Sequence, residues 1–322
     1  MIISRTPFRI SFFGGGTDYP VFFKEHGGAV LGTTIDKYCY ISLRYLPPYF
    51  EHKSKVVYSK FEYVNDNADI KHETVRECLK LLGIKDGIEI YHHSDLPAMR
   101  GLGSSSSFAV GLLNALYTLT LGYEVSSDTL ASDAVNLEQH IMRQNVGCQD
   151  QYHAAFGGFN IIEFTKDDYK ITPVDKGQLE KYLMLFDTGT YRVASEIAGA
   201  QIERTPRLIR ELSEMKDLVY HGEYLLGKGD YFQFGRFLNE SWQIKRELTD
   251  KISTPRIDGI YESALKAGAI GGKLLGAGGG GYILFFVEPD KQGKVKEALG
   301  GLTHVSFGFS DEGSKIIFDD SS

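Results

Sequence analysis

The residues best suited to chemistry lie in one stretch rich in glycine and serine, Gly101-Leu-Gly103-Ser104-Ser105-Ser106-Ser107. Glycines let backbone N–H groups approach a ligand closely, and serines supply hydroxyl donors and a helix N-cap. A long apolar run follows, and the N-terminus of a helix there would add partial positive charge. The stretch therefore predicts a phosphate-binding loop, although a serine-rich loop that caps a core helix is the alternative. The predicted phosphate contacts are Gly101, Gly103, Ser104, Ser105 and Ser106.

A single carboxylate, Glu138, falls on an apolar face of the helix predicted for residues 128–144. Apolar residues recur there at helical spacing, so the face should point toward a core. An unpaired charge in that position would be strongly destabilising, and a partner must lie opposite. Two partners fit the pattern: a lysine or arginine in a buried salt bridge, or a metal ion shared with a bound nucleotide.

Asp150 lies in a stretch, 145–158, that contains several glycines and is predicted to be a loop before a strand. Phosphoryl transfer needs a cradle for the donor phosphates, a cation that neutralises charge, and a carboxylate that orients or deprotonates the acceptor hydroxyl. Ser105, Glu138 and Asp150 would fill these three roles. Taken alone, Asp150 could equally be a turn aspartate that caps the next segment.

Two further glycine turns follow predicted strands. The turn Gly14–Gly16 ends a strand that carries Arg9, and it precedes Asp18, so a ligand can approach the backbone closely there. The turn Gly276–Gly281 lies between two predicted strands and would equally suit a flexible hairpin.

Taken in order, these segments resemble the signature motifs of the galactokinase, homoserine kinase, mevalonate kinase and phosphomevalonate kinase superfamily. The motifs correspond to residues 7–19, 97–106 and 276–281, and the resemblance spans nearly the whole chain. It implies an α+β fold with an N-terminal ribosomal-S5-like domain and a C-terminal ferredoxin-like domain, and a site between them. A change in the pattern of predicted elements places the N-terminal, ATP-binding domain at 1–175 and the C-terminal domain at 176–322.

The resemblance also implies an ATP site without a Walker motif, in which residues 101–106 wrap the phosphates. Ser105 and Glu138 would hold Mg²⁺, Asp150 would face the acceptor hydroxyl, and Arg9 would stabilise the transferred charge. On this reading the substrate side of the site includes Gly15, Asp18, Gly278 and Gly279.

The details of the motifs bear on the acceptor. Galactokinase-type members have Gly-Glu-His-x-Asp-Tyr where this chain has Gly14-Gly-Gly-Thr-Asp18-Tyr, so the aspartate that binds sugar hydroxyls is kept and the Glu-His pair is absent. That form, the four serines and the segments 147–152 and 187–195 are most similar to kinases of D-glycero-D-manno-heptose 7-phosphate. Those enzymes phosphorylate the anomeric hydroxyl at C1 and supply nucleotide-activated heptose. Fucokinases share much of the pattern.

We therefore expect an ATP- and Mg²⁺-dependent sugar 1-kinase, and a heptose 7-phosphate as its acceptor. The alternatives are a fucokinase-like or other sugar 1-kinase and, from a different class, a catalytically silent sensor of sugar and nucleotide. A phosphorylated acceptor needs a cationic partner away from the ATP loop, and Arg192 is the candidate. Arg192 would equally suit an i,i+4 pair with Glu196.

Length and composition are consistent with this expectation. A chain of 322 residues suits two domains, and its net charge of −7 argues against a surface for nucleic acid or an anionic membrane. Cys39, Cys78 and Cys148 lack metal-ligand spacing and are expected to be reduced core thiols. No apolar run has membrane-spanning length and no signal peptide is recognisable, so a cytoplasmic enzyme, possibly a homo-oligomer, is expected.

The elements that must position these residues follow from hydrophobic periodicity. The first part of the chain predicts a sheet covered by helices, with strands at 2–4, 9–13, 29–35, 38–45, 56–58 and 88–92 and helices at 71–82, 105–121 and 128–144. The second part predicts strands at 158–164 and 182–186, a long helical region at 206–248 broken near 227–230, a helix at 257–266, strands at 272–275 and 282–287, a helix at 290–299 and a strand at 304–309.

Overall fold

The computed structural model describes residues 1–190 and 194–320, and its strands form two sheets. In chain order the strands are β1 (Ile2–Phe13), β2 (Gly28–Tyr45), β3 (Ser54–Val57), β4 (Phe61–Val64), β5 (Ile88–Ser94), β6 (Phe159–Phe164), β7 (Tyr169–Pro173), β8 (Leu183–Asp187), β9 (Ala269–Leu274), β10 (Tyr282–Val287), β11 (Thr303–Val305), β12 (Phe309–Ser310) and β13 (Lys315–Asp319).

Helices cover and connect these sheets. In chain order they are α1 (Pro20–His26), α2 (Glu73–Leu81), α3 (Ser104–Leu121), α4 (Ser127–Val135), α5 (Gln149–Phe156), α6 (Ala194–Arg204), α7 (Ile209–Lys228), α8 (Tyr231–Leu248), α9 (Pro255–Ala267) and α10 (Gln292–Ala298). Short 3₁₀ turns lie at Asn67–Asp69, Leu179–Tyr182 and Thr205–Arg207. In the part described, no helix combines the length and the apolar character needed to cross a membrane.

The larger sheet has the strand order β13-β1-β2-β5-β3-β4, and β6 and β12 also pair with β2. The sequence predicts two strands in each of the regions 2–13 and 28–45, whereas the structure has one long strand in each. The register of β1 on β2 shifts between Pro7 and Phe8, because proline has no N–H to give to the ladder. The strand continues past this irregularity, which brings Arg9 opposite Thr34.

Helix α3 packs unusually close to β1. A Cβ atom at Gly111 would lie 2.6 Å from Thr6 Oγ1, so only glycine permits this approach. Ser107 Oγ in the first turn donates to Pro7 O at 2.8 Å, and Ser4 Oγ donates to Gly111 O at 2.8 Å. These contacts fix the start of α3, and the glycine loop before it, beside Arg9.

The smaller sheet is antiparallel, with the order β11-β8-β10-β9. Helices α7 and α8 connect it to the larger sheet, because Gly222 of α7 contacts Phe13 and Gly235 of α8 contacts Phe286. The predicted break in this helical region is confirmed: Gly229 ends α7 in the left-handed conformation, and the side chain of Asp230 caps α8.

The last described segments return to the larger sheet. The strand predicted at 304–309 is instead two: β11 pairs with β8, whereas β12 pairs with β2. Strand β13, which hydrophobic patterning did not predict, pairs with β1. The boundary at residues 175 and 176 stays a prediction. Cys39, Cys78 and Cys148 are all buried and free, as predicted.

Candidate active site

The glycine-rich loop before α3 has the backbone that the sequence predicts for an anion cradle. Gly101 has φ +86° and Gly103, the N-cap of α3, has φ +73°, both in the left-handed region that favours glycine. Ser104 Oγ accepts a hydrogen bond from Met99 N at 3.2 Å and so braces the loop. Because α3 begins at Ser104, the backbone N–H groups of Ser104, Ser105 and Ser106 have no acceptor within the helix and can bind phosphate oxygens, whereas Ser107 N already donates to Gly103 O at 2.9 Å.

The turn after β9 touches this loop directly. A Cβ atom at Gly276 would lie 2.4 Å from Gly101 Cα, and one at Gly101 would lie 2.5 Å from Leu275 O. The two turns meet only because both positions lack side chains. From the sequence alone, the turn Gly276–Gly281 would equally suit a flexible hairpin. The structure shows that Gly276 packs directly against Gly101 of the glycine-rich loop.

Glu138 forms a network with the first turn of α3. Its carboxylate accepts from Ser105 Oγ at 2.9 Å, from Ser106 Oγ at 2.7 Å and from Gln151 Nε2 at 2.5 Å. Only 1% of the residue is exposed, and burial raises the pKa of this carboxyl despite the three donors. The predicted helix 128–144 is wrong in detail, because α4 ends at Val135 and a π-helical turn, Asn136–Ile141, carries Glu138. Such turns are frequent at functional sites.

The salt bridge that was one alternative for Glu138 is absent among the residues the structure describes. Its three hydrogen-bond partners are neutral, so none of them balances the negative charge of the ionised carboxylate. Mg²⁺ prefers oxygen ligands and is commonly held by one or two carboxylates together with substrate phosphates. The oxygen atoms of Glu138 and Ser105 fit such an ion, whereas the described residues contain no cluster of three or more His, Cys, Asp or Glu side chains that would enclose a metal on their own.

Arg9 and Asp150 form a bidentate ion pair at the same loop. Arg9 Nε donates to Asp150 Oδ1 at 2.7 Å, and Arg9 Nη2 donates to Oδ2 at 2.8 Å. Arg9 Nη1 donates to Gly101 O at 2.7 Å, so the guanidinium links the acid to the glycine loop. A Cβ atom at Gly103 would lie 3.2 Å from Arg9 Cγ and 3.3 Å from Asp150 Oδ2. The prediction of a loop around Asp150 is wrong, because the residue lies in the first turn of α5.

Asp18 lies in the turn after β1 and contacts the N-terminus of α5. Its carboxylate accepts from Gly16 N at 2.9 Å and from Gln149 N at 3.3 Å. Burial raises the pKa of Asp18, and the negative charge of Asp150 adds to the effect. A Cβ atom at Gly147 would lie 1.9 Å from Asp18 Oδ2, so this glycine leaves the room that the carboxylate occupies.

Two buried lysines that the sequence analysis missed lie behind the loop. Lys245 Nζ donates to Leu274 O at 2.9 Å and to Gly276 O at 2.5 Å, which fixes the start of the second glycine turn. Lys273 Nζ donates to Phe12 O at 2.6 Å and ties β9 to β1. Burial lowers the pKa of both, that of Lys245 to about 7. Lys245 could have been found from the sequence, because it is a charged residue on the apolar face of α8, as Glu138 is on the apolar face of its predicted helix.

We expect Lys245 to make stability depend on pH. The unfolded lysine binds its proton below about pH 10.4, whereas the folded one does so only below about 7. Between these values the unfolded chain binds more protons, so the free energy of unfolding rises with pH by up to about 1.4 kcal/mol per unit. Urea unfolding of the wild type and of Lys245→Met at pH 7 and pH 9 should show the smaller rise in the variant. Equal rises would contradict a buried, neutral Lys245.

Some predicted substrate residues lie apart from the ion pair. Gly279 N donates to Ile252 O at 2.8 Å, and Gly278 packs against the same residue. Gly15 lies between Ser11 and Gln149, next to the Asp18 loop. Arg192 lies outside the described residues. Roles for these residues in binding substrate stay predictions.

The arrangement supplies what phosphoryl transfer needs within one continuous network. A helix N-terminus and glycine backbone offer N–H donors suited to an anion, a buried carboxylate with neutral partners fits a divalent cation, and an ion-paired carboxylate adjoins both. The sequence predicted these groups separately; the structure shows that Gly101 and Gly103 join them.

Comparisons with known proteins agree with this site. Residues 70–158 match the family model for the N-terminal domain of GHMP kinases, and residues 223–302 match the model for their C-terminal domain. The D-glycero-alpha-D-manno-heptose 7-phosphate kinase of Campylobacter jejuni is 27% identical, with 92% of this chain and 93% of that protein covered. The mevalonate kinase of Thermococcus onnurineus is 30% identical, with 76% and 72% covered.

A solved structure shows the same fold. The crystal structure of a D-glycero-D-manno-heptose 1-phosphate kinase from Bacteroides thetaiotaomicron superposes with a TM-score of 0.81 at 24% identity, and both chains are covered completely. The α+β architecture that the motifs implied is therefore confirmed.

Proposed function

Because the chain belongs to the GHMP kinase family, whose members transfer phosphate to alcohol groups, we propose that it transfers the γ-phosphate of ATP to the anomeric C1 hydroxyl of D-glycero-D-manno-heptose 7-phosphate. The product would be the 1,7-bisphosphate, an intermediate on the way to nucleotide-activated heptose. The observation that carries the proposal is the meeting at Gly103 of the phosphate loop with the Arg9–Asp150 pair.

In this proposal the glycine-rich loop, the pair Ser105 and Glu138, and Asp150 have separate roles. Backbone N–H groups of residues 101–106 and the N-terminus of α3 hold the phosphates of ATP. Ser105 and Glu138 would hold Mg²⁺, which when bound neutralises phosphate charge. Asp150 accepts the proton of the C1 hydroxyl while the oxygen of that hydroxyl forms a bond to the γ-phosphorus. The bond from that phosphorus to the bridging oxygen breaks, and ADP leaves with the electron pair.

Arg9 contributes to this step from two sides. Its guanidinium holds Asp150 in place through two hydrogen bonds, and its positive charge lies close enough to the loop to stabilise charge on the transferred phosphoryl group. The buried side-chain nitrogens of Lys245 and Lys273 fix the backbone near this pair, and in the described part of the chain their acceptors are main-chain carbonyls.

The heptose acceptor is supported by the Campylobacter relative and by the sequence form of the motifs. The Bacteroides structure is named for a 1-phosphate and the Campylobacter enzyme for a 7-phosphate, so the position needs a direct test. ADP release should be measured with both heptose phosphates, L-fucose, D-galactose and mevalonate, and the product identified by phosphorus NMR. We expect the heptose 7-phosphate to be preferred and C1 to be phosphorylated. Preference for L-fucose would favour a fucokinase, and no product from any acceptor would favour a sensor.

We propose that Arg192, the candidate from the sequence, binds the acceptor's own phosphate. We expect Arg192→Ala to raise KM for the heptose 7-phosphate by roughly 10 to 100-fold, because a charge-assisted bond contributes about 1.5 to 3 kcal/mol. KM for ATP should stay unchanged. The exposed Arg204 of α6 supplies a matched control, Arg204→Ala. An equal loss with an unphosphorylated heptose, or no loss, would place the phosphate elsewhere.

A further inference from the structure

Three polar side chains around the turn Gly14–Gly16 have atoms with no hydrogen-bond partner among the described residues. The atoms are Ser11 Oγ, Gln149 Oε1 and Gln201 Nε2. The three residues are only 7%, 8% and 4% exposed, in that order, and the three atoms themselves are buried. Folded proteins rarely leave such groups unpaired, because each one is destabilising.

The three side chains come from different elements and converge on one turn. A Cβ atom at Gly15 would lie 3.7 Å from Ser11 Oγ of β1 and 3.8 Å from Gln149 Nε2 of α5. A Cβ atom at Gly16 would lie 2.4 Å from Gln201 Nε2 of α6, so the carboxamide presses against the glycine backbone. This convergence indicates a built polar cluster.

The cluster adjoins the catalytic groups. Gln149 precedes Asp150 in α5, and its backbone N–H donates to Asp18. Helix α6 is held against the loop before α5, since a Cβ atom at Gly199 would lie 2.9 Å from Asn145 Nδ2. Gln201 contacts Gly16, whose N–H donates to Asp18, so the cluster adjoins the turn that holds this carboxylate.

The chemistry of the unpaired atoms defines their ligand. Gln201 Nε2 is a donor, Gln149 Oε1 is an acceptor, and Ser11 Oγ can act as either. An ionised phosphate offers acceptors only, and it cannot satisfy Gln149 Oε1. A hydroxyl group donates and accepts, and a sugar carries several in fixed positions. None of the three side chains is charged, which also fits a neutral polyol.

We propose that Ser11, Gln149 and Gln201 recognise ring or side-chain hydroxyls of the sugar acceptor, with Gln201 as the main determinant of which sugar is accepted. This inference rests on the proposed function, because it assumes that the acceptor lies beside Asp18 and Asp150. A site built to hydrogen-bond a hydroxyl discriminates strongly against an acceptor that lacks it.

The test replaces Gln201 with methionine, which has a similar length and no hydrogen-bonding nitrogen. We expect KM for the heptose 7-phosphate to rise about 10-fold or more, with KM for ATP unchanged. Wild type should discriminate among singly deoxygenated acceptors, and Gln201→Met should lose discrimination at one position. Ser11→Ala should give a second, independent loss, and Gln243→Met, an exposed change on α8, is the control.

Thermal unfolding separates recognition from a structural role. If Gln201 is unpaired in the free protein, Gln201→Met should keep or raise Tm, because it removes a buried donor with no acceptor. A lower Tm together with unchanged KM would overturn the inference. If the wild type prefers another sugar of the panel, the heptose proposal fails while the same variants test Gln201 with that sugar. A chain that neither phosphorylates nor binds any panel sugar in thermal-shift assays would overturn both.

Discussion

Replacing Asp150 with asparagine should lower kcat by roughly 10² to 10⁴ while nucleotide binding stays nearly intact. The amide keeps one oxygen that can accept from Arg9, so the local structure should survive. The amide does not take the proton of the acceptor hydroxyl. Its NH₂ group replaces one carboxylate oxygen and cannot accept from Arg9, so one of the two hydrogen bonds to Arg9 is lost. The loss should therefore fall on the chemical step.

Three measurements check this expectation. Steady-state kinetics give kcat, calorimetry with a non-hydrolysable ATP analogue gives the nucleotide Kd, and thermal unfolding reports on folding. Asp217→Asn, an exposed change on α7, is the matched control and should leave all three unchanged. Near-normal kcat in Asp150→Asn would remove Asp150 from the chemistry and reduce its role to pairing with Arg9.

Replacing Glu138 with glutamine should lower kcat/KM for ATP by roughly 10² to 10³ and raise the Mg²⁺ concentration needed for half-maximal rate at least about 10-fold. The carboxylate is the charged member of the proposed metal ligands, and an amide oxygen binds Mg²⁺ more weakly. Effects on Mg²⁺ and nucleotide should appear together, because the ion is shared with the phosphates. KM for the acceptor should change little.

Stability distinguishes a ligand from a structural anchor at this position. Burial raises the pKa of Glu138, so the buried charge opposes folding at neutral pH, and the uncharged glutamine should keep or raise Tm. Glu214→Gln on the exposed face of α7 is the control. An unchanged Mg²⁺ titration combined with a lower Tm would show that Glu138 serves the network with Ser105 and Ser106 and no metal.

Local patterns in the sequence predicted most elements but missed some that carry the site. Helix α5 was taken for a loop because it is short and most of its residues are buried, so no amphipathic period marks it. The π-helical turn at Asn136–Ile141 escaped prediction because its spacing differs little from that of an α-helix over one turn. Strand β13 is stabilised by pairing with β1, a long-range contact that periodicity does not report.

The chemical groups were easier to predict than their contacts. Arg9, Glu138 and Asp150 stood out because charges are rare next to glycine turns or on apolar faces. The bidentate pair between Arg9 and Asp150 was not predictable, since 141 residues separate the partners. Gln201 gave no signal at all, because a polar residue in a mixed helix looks exposed until the tertiary structure buries it.

The pairing of β1 with β13 also determines when the larger sheet can form. Thr6 bonds to Ser314, 308 positions further along the chain, and β1 has no partner on that side until β13 leaves the ribosome. At roughly 5–20 residues per second, synthesis holds this edge open for about 15 to 60 s. During that time the edge can pair with other nascent chains, so slower translation should increase aggregation, and chaperone demand should depend on the delay before β13 emerges.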